Sequence, residues 1–162
     1  MTHRVAPRPW NEEEAAEIIA AHRDLAGAML PMLHALQEAF GYLDAAAIPM
    51  VGSALNVSKA EVHGVIGFYH DFRTELPGRH VLKVCRAEAC QSMGCDSLIG
   101  HLERKTGAKL GATSADGAFT LEEVFCLGNC ALSPAAMLDG KLYGRVSHHA
   151  ADRLIDAARA RR

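Results

Sequence analysis

Leu25, Met29, Met32, Leu33, Leu36 and Phe40 recur at the three- and four-residue steps of an amphipathic helix, and Gly41 follows where such a helix stops. The pattern predicts a helix over residues 25–40, with Pro31 tolerable only near its first turns. Residues 10–23, "WNEEEAAEIIAAHR", read as an earlier helix with Asn11 as N-cap and three glutamates in the first turn, where they suit the positive end of the dipole. Residues 48–55 predict a short third helix. "SKAEVHGVIGFY" predicts a fourth, opened by the capping-box pair Ser58 and Glu61. Residues 1–76 are thus expected to be a helical region.

After "LPGRH" the periodicity changes. A strand is expected over residues 80–84, a helix over 92–105 and a second strand over 119–125. Asp139-Gly140, flanked by residues 135–138 and 141–144, predicts a two-residue hairpin between antiparallel strands. Ser147 is placed to cap a last helix. The fold class is therefore α+β: an N-terminal helical bundle followed, over residues 77–162, by a strand, helix, strand, hairpin and helix in the order of a thioredoxin-like fold. Pro134, just before a strand, sits where such folds often carry a cis-proline.

Composition narrows the function classes. The chain has 162 residues, 49% hydrophobic and 22% charged, as a soluble globular protein does, and its net charge of -2 gives no basic surface for nucleic acid. No apolar stretch approaches a bilayer span, so no membrane span is expected. Residues 1–10 are polar and lack a signal-peptide core, and the expected compartment is cytoplasmic. There thiols stay reduced, so five cysteines point to metal or redox chemistry rather than disulfides.

Cys85 and Cys90 form C-x4-C, and Cys126 and Cys130 form C-x3-C. Each pair follows a predicted strand. If those strands are neighbours, four thiolates converge, which suits a tetrahedral zinc or an iron-sulfur cluster. The wide spacers favour the cluster, because a two-iron centre takes two ligands per iron from loose loops. Neither spacing is the C-x-x-C of a dithiol redox pair, and neither segment holds the histidines of a Rieske centre. Backbone N–H groups near Ser92 are expected to face the sulfurs, and Gly128 and Asn129 to let the backbone approach them. Cys95 is expected inside the following helix, facing elsewhere as an ordinary buried thiol.

Other residues invite chemistry too. His148-His149 tempts a metal reading, but adjacent helical residues face different directions, and exposure or cap packing is the commoner fate. His63 and His70 are expected in packing or partner contact. Phe68, Tyr69 and Phe72 read as core, with one or two members free for a partner. No G-x-G-x-x-G after a strand and no P-loop is present, so no nucleotide motif is found.

"LPMLHALQEAFGYL", "VHGVIGFYHDFR", "VCRAEAC" and "CLGNCALSPAAML" together resemble the thioredoxin-like [2Fe-2S] subunits of NADH dehydrogenase type, over about residues 25–146. The resemblance implies that Cys85, Cys90, Cys126 and Cys130 are the ligands of one [2Fe-2S] cluster. It also implies a non-catalytic electron carrier, docked on a flavoprotein subunit that holds the FMN and NAD. "GFYHDFR", "CRAEACQSMGC" and the short length look most like the gamma subunit of soluble NAD-dependent formate dehydrogenases, whose partner is a metal-pterin subunit. Equivalent subunits of respiratory complex I and of NAD-reducing hydrogenases are the alternatives. A zinc-stapled interaction module is the alternative of another class.

Overall fold

A computed structural model describes residues 9–161. The backbone divides between Leu76 and Pro77 into two compact units. Among the described residues the first unit holds four helices: α1 (Glu12–His22), α2 (Met29–Phe40), α3 (Ala47–Leu55) and α4 (Lys59–Phe68). Their starts follow local chemistry. Asn11 accepts from the Glu14 N–H, and Ser58 and Glu61 close a reciprocal capping box at the head of α4. Met32, Leu33, Leu36, Phe40, Val51 and Val62 are fully buried, and Trp10 packs on Phe40 with ring centroids 4.8 Å apart. Gln37 stitches α2 to the segment after α4: its side chain donates to the Asp71 carbonyl and accepts from the Arg73 N–H.

The helix expected from residue 25 begins four residues later. Gly27, at φ +66°, turns the chain before α2, and Leu25 is left half exposed.

The second unit is a five-stranded sheet with helices. In chain order come β1 (His80–Cys85), α5 (Glu88–Ser92), α6 (Cys95–Thr106), β2 (Ala112–Thr113), β3 (Phe119–Val124), a 3-10 turn (Cys130–Leu132), β4 (Ala136–Leu138), β5 (Lys141–Tyr143) and α7 (His148–Ala160). The strand order is β2-β3-β1-β4-β5. β1 and β3 are parallel neighbours, with Cys85 opposite Val124, and β4 runs antiparallel to β1. Period-two alternation sends Leu82 and Val84 of β1, with Phe119 and Leu121 of β3, into one core shared with Leu98 and Leu102 of α6 and Ile155 of α7. The thioredoxin-like reading of this unit holds.

Asp139 (φ +50°) and Gly140 (φ +82°) make the expected tight turn between β4 and β5. Asp139 is also fastened to β1, accepting from the Val81 N–H and lying 2.7 Å from His80 Nδ1. Ser147 caps α7, and the Ser133–Pro134 bond is cis. Two differences from the expected elements concern the site. The helix expected over residues 92–105 is α6, which starts at Cys95 after Gly94 turns the chain at φ +81°, and the short α5 before it was not expected. The two-residue β2 was not expected. Among the described residues no helix is long and apolar enough to cross a membrane.

Candidate metal centre

Cys85 is the last residue of β1, and Val124, its partner in register, is the last of β3. The two parallel strands therefore release the chain at the same end of the sheet, and each carries one cysteine pair there. Cys90 lies on α5 rather than in a loop. The N–H of Cys85 donates to the Ala135 carbonyl and that of Arg86 to the Val124 carbonyl, so the exit of β1 is held from both sides.

The two halves differ in exposure. Cys85 and Cys90 are buried, whereas Cys126 and Cys130 are exposed. Cys126 Sγ and Cys130 Sγ stand 3.8 Å apart. Cys126 holds φ +89°, a region that L-residues rarely adopt, and Gly128 follows at φ +74°. This winding lets the Gly128 N–H donate to Cys126 Sγ at 3.3 Å, the close backbone approach expected there. Ser133 Oγ donates to the Cys130 carbonyl and is 3.6 Å from Cys90 Sγ, linking the exposed half to the buried one.

Burial pushes the Cys85 thiol up, but the N–H of Ala87, the Cys90 thiol and the N–H groups of Leu127 and Cys126 more than offset it, and Cys85 is held below the ordinary thiol range. Backbone of the second segment thus serves sulfur of the first. The Cys130 thiol is pushed up, chiefly by its hydrogen bond and charge interaction with Cys126. N–H groups aimed at sulfur stabilise thiolate, the form that binds metal.

Cys95 corrects an expectation. It is the first residue of α6, fully buried, and it packs with Cys85, Cys90 and Ala135 rather than facing elsewhere. Burial, and then the Asp96 and Cys90 charges, push its thiol up, which keeps it protonated and apolar.

His148 stacks on His101, centroids 4.5 Å apart and 5° from parallel, and its Nε2 is 3.3 Å from Ser97 Oγ. His63 and His70 are exposed rather than packed in the core. Phe72 is buried, while Phe68 and Tyr69 are exposed, so the aromatic group is split between core and surface. Among the described residues no three His, Cys, Asp or Glu side chains gather as a single-ion site. A two-iron cluster makes a different demand, two thiolates for each of two irons.

The donors fit that demand: soft sulfur ligands in two pairs, backbone N–H groups on the sulfurs, and the buried Nε–H of Arg86, which has no acceptor among the protein atoms. Arg86 is marked in the sequence only by the charge it gives "CRAEAC". Gly144 carries no sequence signal of its own, yet a Cβ there would stand 2.6 Å from Leu132 Cβ and 2.8 Å from Asn129 Nδ2, so its lack of a side chain admits the turn that carries Cys130.

Residues 15–159 match the thioredoxin-like [2Fe-2S] ferredoxin family. The chain belongs to this family. Its cofactor is accordingly a [2Fe-2S] cluster, as expected, and not a zinc staple. Among relatives of this thioredoxin-like [2Fe-2S] ferredoxin, an NADH-quinone oxidoreductase subunit of Pseudomonas aeruginosa is 35% identical over 136 residues, covering 84% of this chain and 82% of that protein. The HndA subunit of the NADP-reducing hydrogenase of Solidesulfovibrio fructosivorans is 31% identical over 145 residues, covering 90% and 84%. Among solved structures, an NAD+-reducing [NiFe]-hydrogenase in the H2-reduced state aligns with a TM-score of 0.72 at 25% identity, over 83% of this ferredoxin and 22% of the hydrogenase chain. The ferredoxin thus spans about a fifth of that longer chain.

Proposed function

We propose that Cys85, Cys90, Cys126 and Cys130 hold the [2Fe-2S] cluster, and that the chain carries single electrons beside the FMN of an NAD-binding flavoprotein subunit in a cytoplasmic NAD-dependent formate dehydrogenase. The observation that carries the ligand assignment is the parallel pairing of β1 and β3 with Cys85 opposite Val124, which releases both cysteine pairs at one end of the sheet, where Ser133 Oγ donates to the Cys130 carbonyl and lies 3.6 Å from Cys90 Sγ. When bound, the cluster supplies a one-electron couple. The chain's own residues do the rest. Cys85 and Cys90 bury one side from water, backbone N–H groups from both segments neutralise sulfur charge, and exposed Cys126 and Cys130 leave the other side close to a partner. No residue here is assigned a catalytic step, and formate oxidation belongs to a metal-pterin subunit.

The formate dehydrogenase host rests on "GFYHDFR" and "CRAEACQSMGC". The named relatives favour a second reading of the same role, in an NADH-quinone oxidoreductase or an NAD-reducing hydrogenase. Protein purified anaerobically should contain about two irons and about two acid-labile sulfides per chain and give a rhombic EPR signal on reduction. Stoichiometric zinc without iron would refute the assignment. For the host, the native complex should reduce NAD with formate and contain a metal-pterin subunit. Activity with hydrogen or quinone instead would replace formate dehydrogenase with the second reading.

A further inference from the structure

Arg86 follows Cys85 and is gripped by two carboxylates on different elements. Its Nη1 donates to Glu123 Oε2 of β3 at 2.7 Å, and its Nη2 lies 3.6 Å from Asp96 Oδ1 in the first turn of α6. These contacts occupy the outer nitrogens of the guanidinium fork. The Nε–H is buried with no acceptor among the protein atoms. Leaving a buried donor of a charged group unpaired opposes folding, and a group kept that way usually serves something besides stability.

What it borders is the buried half of the cysteine site. Asp96 Oδ1, which faces Arg86 Nη2 at 3.6 Å, also lies 4.0 Å from Cys95 Sγ, and Cys95 packs in one buried cluster with Cys85 and Cys90. A cation is thus clamped against the group of thiols that holds two of the four assigned ligands. Glu123 and Asp96 fix it in place and temper its charge.

We propose that Arg86 sets the reduction potential of the cluster, its clamped cation favouring the reduced form. This rests on the ligand assignment above. Reduction adds one electron to the cluster and breaks no bond, and the electron comes from a low-potential donor, in the test dithionite. The centre becomes more negative by one charge, and a fixed cation beside it stabilises that charge. Lysine would keep the charge but not the two-carboxylate fork.

The test is an EPR-monitored redox titration of the full chain, purified anaerobically, with dithionite and mediators. Arg86→Gln should lower the reduced-to-oxidised ratio at fixed poise about tenfold, equivalent to ~59 mV for a one-electron couple. Arg86→Lys should recover most of that change, and Glu123→Gln, which removes the opposing charge, should move the midpoint upward. A normal EPR signal with an unshifted midpoint in Arg86→Gln overturns the proposal, as does an equal shift in Arg86→Lys, which would mean that the fork and not the charge matters. If Arg86→Gln does not load a cluster, Glu123→Gln decides: a rise supports the role, and no change or a fall overturns it. Persistence of the cluster in Cys85→Ser would instead defeat the ligand assignment, a result distinguishable from any of these.

Discussion

In the proposed ligand set, Cys95 is one sulfur among five that lies next to the site without belonging to it. It is fully buried and touches Cys85 and Cys90, but its thiol is pushed up by burial, while Cys85 is pulled down by N–H donors from both segments. Replacing Cys95 with Ser should therefore leave the reduced EPR line shape intact and destabilise the unit by about 1–3 kcal/mol, the usual cost of a buried hydroxyl without a partner, measured by denaturant unfolding. Cys126→Ser should do the reverse, with a sharp loss of iron per chain and smaller loss of stability before loading. A changed line shape in Cys95→Ser would redraw the ligand set. The sequence could pair the four cysteines by spacing, but it could not orient Cys95, because which side of α6 faces inward is decided by packing against β1 and α7.

Elements explain why some of the fold could be read in advance and some not. The capping box of Ser58 and Glu61 and the turn at Asp139-Gly140 are local, complete within four residues, and both are found where the residues place them. β2 is two residues long and exists through its pairing with Thr120 and Leu121, so no periodicity could announce it. The break at Gly94 was written in the sequence, but its meaning depends on α5 being a separate helix, too short to show a period. Close approach is equally silent in a sequence. At Gly144 an added methyl would meet Leu132 and Asn129 at under 3 Å, and one of those atoms belongs to the turn holding Cys130. Gly144→Ala is expected to destabilise the second unit by about 1–3 kcal/mol, the range for overpacking, and to lower cluster occupancy. Full iron content with unchanged stability would show that the turn shifts freely.

At the scale of the molecule, each unit has its own buried core, one built on Leu33, Leu36 and Phe40, the other on Phe119, Leu121 and Ile155. Leu36→Ala should cost about 2–5 kcal/mol in the first core, by the transfer and cavity terms of a large-to-small change, yet leave the EPR spectrum of the folded protein unaltered. A spectral change would show that the cores are energetically joined. The parallel pairing of β1 and β3 has a consequence in time. A ribosome delivers Cys85 and Cys90 well before β3, Cys126 and Cys130 have been made, and domains fold as units as the chain emerges. Until β3 lies beside β1, the early thiols have no second pair to complete the cradle. With the ligand set proposed above, iron and sulfide that reached the nascent chain too soon would meet half a binding site, so maturation is expected to wait for the sheet to close.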